Sequence, residues 1–294
     1  MAPASDERTL KHGLYLPNMP ASLGELCSPS NFVEYAVAAE EAGWDGVFLA
    51  DHFTHPEHEA TTFDPWITLA AIATRTERIR LASWITPLAR RQPWQVAMDL
   101  ATLDRISGGR VTFGTGLGIP DNYERIGIEY EPKVIAERFD EALDVMETLW
   151  DGDPVTHSGE NFSLDEFQLP LTPVQEPRIP ITMAFWWPNK KPVRRAARYD
   201  GIMPWIDPAY YGENGTHQPS ADTLVDMLED MVSYYREVAD EPGEILLPTD
   251  LPGEPEDFVD VSRDLGASWL IRYRLLEGDS HEANLERIRA GPPV

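Results

Sequence analysis

Four short segments hold the residue types that do chemistry. The first is Asp51-His52-Phe53, with His55 and His58 following. Imidazoles beside a carboxylate suit a divalent ion, so one reading is a metal-dependent barrel hydrolase built on Asp51, His52, His55 and His58. The spacing argues against it, because no His-x-His pair precedes the cluster and no later strand end supplies a histidine or a close carboxylate pair. We assign no metal site. His55 and His58 sit in a polar, proline-containing loop and read as solvated. His52 can hydrogen-bond a planar substrate or cofactor, or serve as a satisfied structural histidine, and both readings stand.

The second segment runs from Ser83-Trp84 to Arg90-Arg91-Gln92-Pro93. Two cations just before a helix start suit an anion, with a solvated pair as the alternative. The third, Gly114-Thr115-Gly116-Leu117-Gly118, lets backbone approach a ligand closely, although it is neither GxGxxG nor a P-loop. The fourth passes from Trp186-Trp187-Pro188-Asn189 into Lys190-Lys191 and Arg194-Arg195. Six of the 24 basic residues thus fall in two of these segments. An enclosed anion accounts for this, and in barrels the usual one is a phosphorylated cofactor; surface ion pairing is the competing account. Phe53, Trp84, Trp186, Trp187 and Trp205 suggest a flat apolar ring system stacked in the same mouth, unless core packing claims them.

The elements that position these segments repeat as strand then helix. The strands are His12–Pro17, Gly46–Ala50, Ile79–Thr86, Arg110–Gly114, Ile181–Phe185, Gly201–Pro204, Ile245–Pro248 and Ser268–Arg272. Each precedes a helix pattern. The first helix runs from Asn31 to Gly43 with Asn31 and Glu34 in capping-box spacing, the second opens at Asp64-Pro65, and the third opens at Pro93 and stops at Gly108-Gly109. The fourth runs from about Lys133 to Trp150, with Phe139, Leu143, Met146 and Leu149 at helical spacing. Residues 151–180 form a proline-rich excursion. Pro192–Arg198, Ala221–Val238, Pro255–Leu265 and Glu282–Ala290 complete the set. Eight such units predict a (β/α)8 TIM-type barrel, one domain over 1–294 with an insertion at about 151–180 after the fourth unit. The chemistry is then expected where strands hand over to helices.

Bulk composition narrows the partners. The chain has 294 residues, 24 basic against 50 acidic, a net charge of −26 and four lysines. That charge repels nucleic acid and anionic lipid and leaves a small molecule as the expected partner. It also suggests a halophilic source, since concentrated salt screens self-repulsion. One cysteine, Cys27, and a Met1–Leu10 stretch without a secretory profile make a cytoplasmic location the expectation.

Trp44–Phe53, Asp64–Ala71, Thr86–Trp94, Leu103–Arg110 and Arg194–Gly201 together resemble the bacterial luciferase-like flavin oxidoreductases, firmly over about residues 12 to 205. The resemblance implies a barrel that binds FMN or its deazaflavin relative coenzyme F420, and homo-oligomers (dimers or tetramers). It puts His52, with Asp51 beside it, near the reactive edge of the ring as the catalytic residues. It puts Ser83-Trp84 at a bulge under the central ring, with a non-proline cis peptide between them. Gly116, Gly118 and Asn122 line the opening, Trp186 and Asn189 belong to the cofactor pocket, and Arg194 meets the phosphate. Sugar-phosphate dehydrogenases of the family carry a glutamate where this chain has Ile119. The implied function is hydride transfer or monooxygenation on a small organic substrate; a non-catalytic flavin-binding barrel is the alternative beside the hydrolase.

Overall fold

The computed structural model describes residues 10–18, 26–52, 63–206, 219–249, 254–273, 275 and 279–292. Eight parallel strands close on themselves: β1 (Lys11–Leu16), β2 (Gly46–Leu49), β3 (Arg80–Ser83), β4 (Val111–Gly116), β5 (Ile181–Trp187), β6 (Gly201–Ile206), β7 (Glu244–Pro248) and β8 (Trp269–Tyr273). Each pairs with its sequence neighbours, and the ring shuts where Gly13 of β1 meets Ile271 of β8. The eight-unit barrel read from the sequence is therefore the observed fold.

The major helices are α1 (Pro29–Glu41), α2 (Pro65–Ala73), α3 (Pro93–Ser107), α4 (Pro132–Trp150), α5 (Lys190–Ala196), α6 (Ala221–Val238), α7 (Phe258–Asp264) and α8 (His281–Arg289). Four open on proline or its neighbour, where the missing N–H costs nothing because that amide has no intrahelical partner. This moves the first helix forward from the expected Asn31. Pro29 starts it and the Ser28 hydroxyl accepts from the Asn31 amide, so the cap is Ser28 and not an Asn31/Glu34 box. α3 ends at Gly108 in the left-handed region (φ +69°), as the Gly-Gly pair predicts. α4 turns Ile135, Phe139, Leu143, Met146 and Leu149 inward, each worth about 1.5–3 kcal/mol when fully buried.

Strand alternation divides the core in two. Leu14, Val47, Leu81 and Val111 face the helices, whereas Tyr15, Phe48, Ala82 and Met203 fill the barrel itself. The interior is tight enough that a Cβ at Gly13 would lie 2.4 Å from the Phe48 ring, which makes glycine obligatory there. At the N-terminal end Lys11 and Arg80 lie over the Trp269 ring and both pair with Glu244. That plug closes one end and leaves the C-terminal mouth as the open one.

Two segments depart from expectation. The third strand does not run unbroken from Ile79 to Thr86: it stops at Ser83, and Thr86–Pro87 pairs separately with Thr115 and Gly116. The break contains a non-proline cis peptide, but it lies between Trp84 and Ile85, one bond later than expected. Residues 151–180 carry an antiparallel hairpin, Val155–Ser158 with Ser163–Phe167, which sequence alone did not indicate. Glu141 of α4 holds its tip by accepting from the Asn161 and Phe162 amides, the Asn161 side chain and His157.

Candidate active site

A cavity of about 720 Å³ occupies the C-terminal mouth. Its floor comes from inward positions toward the strand ends: Tyr15 of β1, Trp84 and Ile85 after β3, Ala184 of β5, Trp205 of β6 and Tyr273 of β8. Alternation explains the choice, since these positions continue the barrel-filling rows beyond the point where the interior is full. Trp84 sits edge-on to Phe48 and 6.0 Å from Trp205, and Trp205 is 6.1 Å from Trp186, so aromatic faces step from the core to the rim. Tyr15 and Tyr273 also meet at the floor, with ring centroids 4.5 Å apart and planes tilted by 49°. Burial, reinforced by Tyr273, holds the Tyr15 hydroxyl well above its ordinary pKa, so it stays protonated and able to donate.

The β4 end supplies the backbone wall. Gly116 lines the cavity, and a Cβ there would press on Ala184 and Ile85 at 3.1–3.3 Å. Gly118 has φ +76°, and a Cβ would lie 2.7 Å from Pro87, so neither the conformation nor the space admits a side chain. The Trp84 Nε1 is buried with no acceptor among the described residues.

Behind this wall lies a buried ionic network. Asp51, 2% exposed, accepts from Arg90 and takes a two-point contact from Arg91, whose Nε and Nη2 lie 3.0 and 2.7 Å from its oxygens. Burial pulls the Arg90 guanidinium below its ordinary pKa against the opposing pull of Asp51. Burial also lowers Arg91, but there Asp51 outweighs it and the net shift is upward. Arg90 also donates to Asn122 Oδ1 at 3.2 Å, and the same oxygen lies 3.1 Å from His52 Nδ1. Arginine only donates, so the amide atom facing it must be oxygen, and His52 must present Nδ1–H to that oxygen. In the neutral ring the lone pair is then on Nε2.

A sequence profile described as luciferase-like monooxygenase matches residues 12–217, seven-tenths of the chain. The chain belongs to the luciferase-like monooxygenase family. It is 35% identical over 185 residues to an F420-dependent glucose-6-phosphate dehydrogenase of Beutenbergia cavernae, covering 61% of this chain and 53% of that one. It is 32% identical over 154 residues to 4-hydroxyprotoasukamycin monooxygenase of Streptomyces nodosus subsp. asukaensis, covering 52% and 40%. The chain thus spans about half the length, or less, of these curated relatives. Its fold matches that of a monooxygenase from Streptomyces bottropensis with a TM-score of 0.75, 20% identity and 96% and 97% coverage.

In this luciferase-like barrel, His52, Trp84, Gly116, Gly118, Trp186 and Asn189 line the cavity. Asp51, Ser83, Asn122 and Arg194 do not. Ser83 is buried and donates to the Gly114 carbonyl, tying β3 to β4 below the cavity. Asn122 stands one contact behind His52, and the Asp51 side chain is linked to it only through Arg90. Arg194 donates to the Tyr234 hydroxyl on the outside, while its neighbour Arg195 reaches the cavity, pairs with Asp140 of α4 and lies 5.6 Å from the Phe139 ring. His55, His58 and Phe53 lie outside the described residues. Sequence reasoning did not single out Tyr15, Ile85, Phe139 or Tyr273; the inward parity of β1 and β8 is the signal that pointed to the two tyrosines. Burial pushes the Cys27 thiol up to about 12, which keeps it protonated at neutral pH.

Proposed function

We propose that the protein is an oxidoreductase that binds coenzyme F420 or FMN in this mouth and acts on a small organic substrate by hydride transfer or monooxygenation. The observation that carries this reading is the cavity wall itself: stepped aromatic faces on one side, two side-chain-free glycines on the other and an oriented histidine between. The residues fit a flat ring with a polar edge. Trp84, Trp186 and Trp205 would cover its faces, and Gly116 and Gly118 would let its edge reach backbone. When bound, such a ring supplies two-electron chemistry that no side chain provides. The chain's own part is to exclude water, orient the ring and hold a proton acceptor at His52.

Two family relatives support this reading from different sides, one named for coenzyme F420 and one for monooxygenation. The hydrolase reading loses its carboxylate, because both oxygens of Asp51 are held by arginines. We further propose a cytoplasmic, salt-adapted homo-oligomer, supported by the acidic composition and by outward apolar side chains such as Ile67, 74% exposed. Separate absorbance titrations with FMN and coenzyme F420 test the central claim. One of them is expected to bind with a saturable spectral change; binding of neither defeats the reading.

A further inference from the structure

Five tyrosines are buried among the described residues: Tyr15, Tyr35, Tyr123, Tyr199 and Tyr235. A phenol taken out of water ordinarily keeps a hydrogen-bond partner, because losing water without a replacement is costly. Four of the five follow that rule. The Tyr123 hydroxyl donates to the Leu117 carbonyl, Tyr35 meets His281 at 3.0 Å, Tyr199 pairs with the Glu147 carboxylate and Tyr235 accepts from the Gly243 amide. Tyr15 is the exception: it is 4% exposed, and no hydrogen bond engages its hydroxyl among the described residues.

Tyr15 also differs from the protein's sealed polar atoms. The Thr112 and Thr182 hydroxyls are enclosed by protein, whereas Tyr15 lines the cavity at its floor. Its surroundings there are aromatic, with the Tyr273 ring 4.5 Å away and Phe48 and Trp84 in the same cluster. Burial keeps the phenol protonated, so its hydroxyl meets the cavity as a donor. An acceptor carried by a bound molecule would satisfy it, and the aromatic setting favours a flat one.

We propose that Tyr15 anchors the bound ring at the cavity floor, its hydroxyl donating to a carbonyl oxygen or heterocyclic nitrogen on the ring's inner edge. The presence of a ring rests on the oxidoreductase reading, which itself does not use Tyr15. The hydroxyl then contributes to binding and not to the empty protein. Tyr15→Phe should therefore leave the melting temperature of the cofactor-free protein unchanged or slightly raised, since the group it removes has no partner there. Lumichrome, the bare flavin ring without side chain or phosphate, is the probe, and its own emission reports binding. Wild type is expected to bind it saturably and Tyr15→Phe about tenfold more weakly, the equivalent of one hydrogen bond. Naphthalene, flat but without an acceptor, should bind both proteins equally, as read from the emission of Trp84, Trp186 and Trp205 around the cavity. Equal lumichrome affinity in the two proteins overturns the proposal. Equal weakening of both probes overturns it as well, because Tyr15 would then only pack, and so does a variant that melts well below wild type. Failure of wild type to take lumichrome also defeats it, while the FMN and F420 titrations judge the oxidoreductase reading separately, so the two failures are distinguishable.

Discussion

Two arginine pairs stand at corresponding places on the rim and do opposite things. Arg90 and Arg91, after β3, are drawn inward onto one carboxylate, with the Arg90 side chain fully buried. Arg194 and Arg195, in α5, part company: one lies outside against Tyr234 and the other turns to the cavity on Asp140, which is 40% exposed. The difference lies in the partner. A buried carboxylate fixes its cations as scaffold, because separating them would leave a bare charge out of water. A half-exposed carboxylate holds its cation loosely enough for a ligand to compete. The first pair therefore serves His52 from behind, and the second is where an anionic group can be met.

The largest effect should follow from breaking the buried pair. Asp51→Asn removes the charge that both arginines share, and about 3–5 kcal/mol of stability is expected to go with it. Urea unfolding measures this; a loss below about 1 kcal/mol would mean the cluster is solvated and the contrast with α5 empty. Next comes the residue the cluster supports. His52→Ala is expected to lower turnover roughly 10²-fold with little change in cofactor affinity, since a proton acceptor acts on the transition state. Asn122→Leu should reproduce part of that loss and alter the pH profile, because Nδ1–H loses its acceptor. An unchanged profile would limit Asn122 to packing.

These contrasts mark where sequence reading ends. The barrel was readable because each helix start, Asp64-Pro65 or Pro93 for example, is a local event governed by one proline or one cap. Six of the ten site residues line the cavity because strand ends must lie at the mouth. Asp51, Ser83, Asn122 and Arg194 sit in the right segments but face elsewhere. What decides their direction is non-local: Asn122 is 70 positions from His52 and Arg195 is 55 from Asp140. Charge clustering showed that cations gather at the rim, but not which carboxylate each would choose.

The second pair gives a smaller and more discriminating test. If Arg195 meets the anionic end of the cofactor, Arg195→Ala should weaken binding by about 1.5–3 kcal/mol, the scale of a charge-assisted hydrogen bond. Arg194→Ala, whose side chain is engaged by Tyr234 outside the cavity, should cost under about 0.5 kcal/mol. The family resemblance assigns the role to Arg194, so the two titrations decide between resemblance and geometry. Equal losses would indicate that α5 acts as a diffuse positive field with no single contact.

The smallest effect concerns Glu141, which follows Asp140 on α4 and whose hydrogen bonds come from His157, Asn161 and backbone amides, with Arg138 acting on it through space. Burial raises its carboxyl, but hydrogen bonds from His157, Asn161 and the Asn161 and Phe162 amides outweigh this and hold its pKa below the ordinary value. A carboxylate whose folded pKa is depressed adds stability above the unfolded value, about 4.3, and loses it as pH falls through the lower folded value. At pH 7 Glu141→Gln should therefore cost about 1 kcal/mol, because hydrogen bonds to a charged acceptor are exchanged for bonds to a neutral one. As pH falls through that lowered folded value the two proteins should converge, since wild-type Glu141 is then becoming neutral as well. Comparing the two by chemical denaturation at each pH cancels the titration of the rest of the acidic surface, which both share. A gap that stays constant down to pH 2 would mean that shape and not charge holds the hairpin. Neutral donors would then not stand in for the cations that hold Asp51 and Asp140.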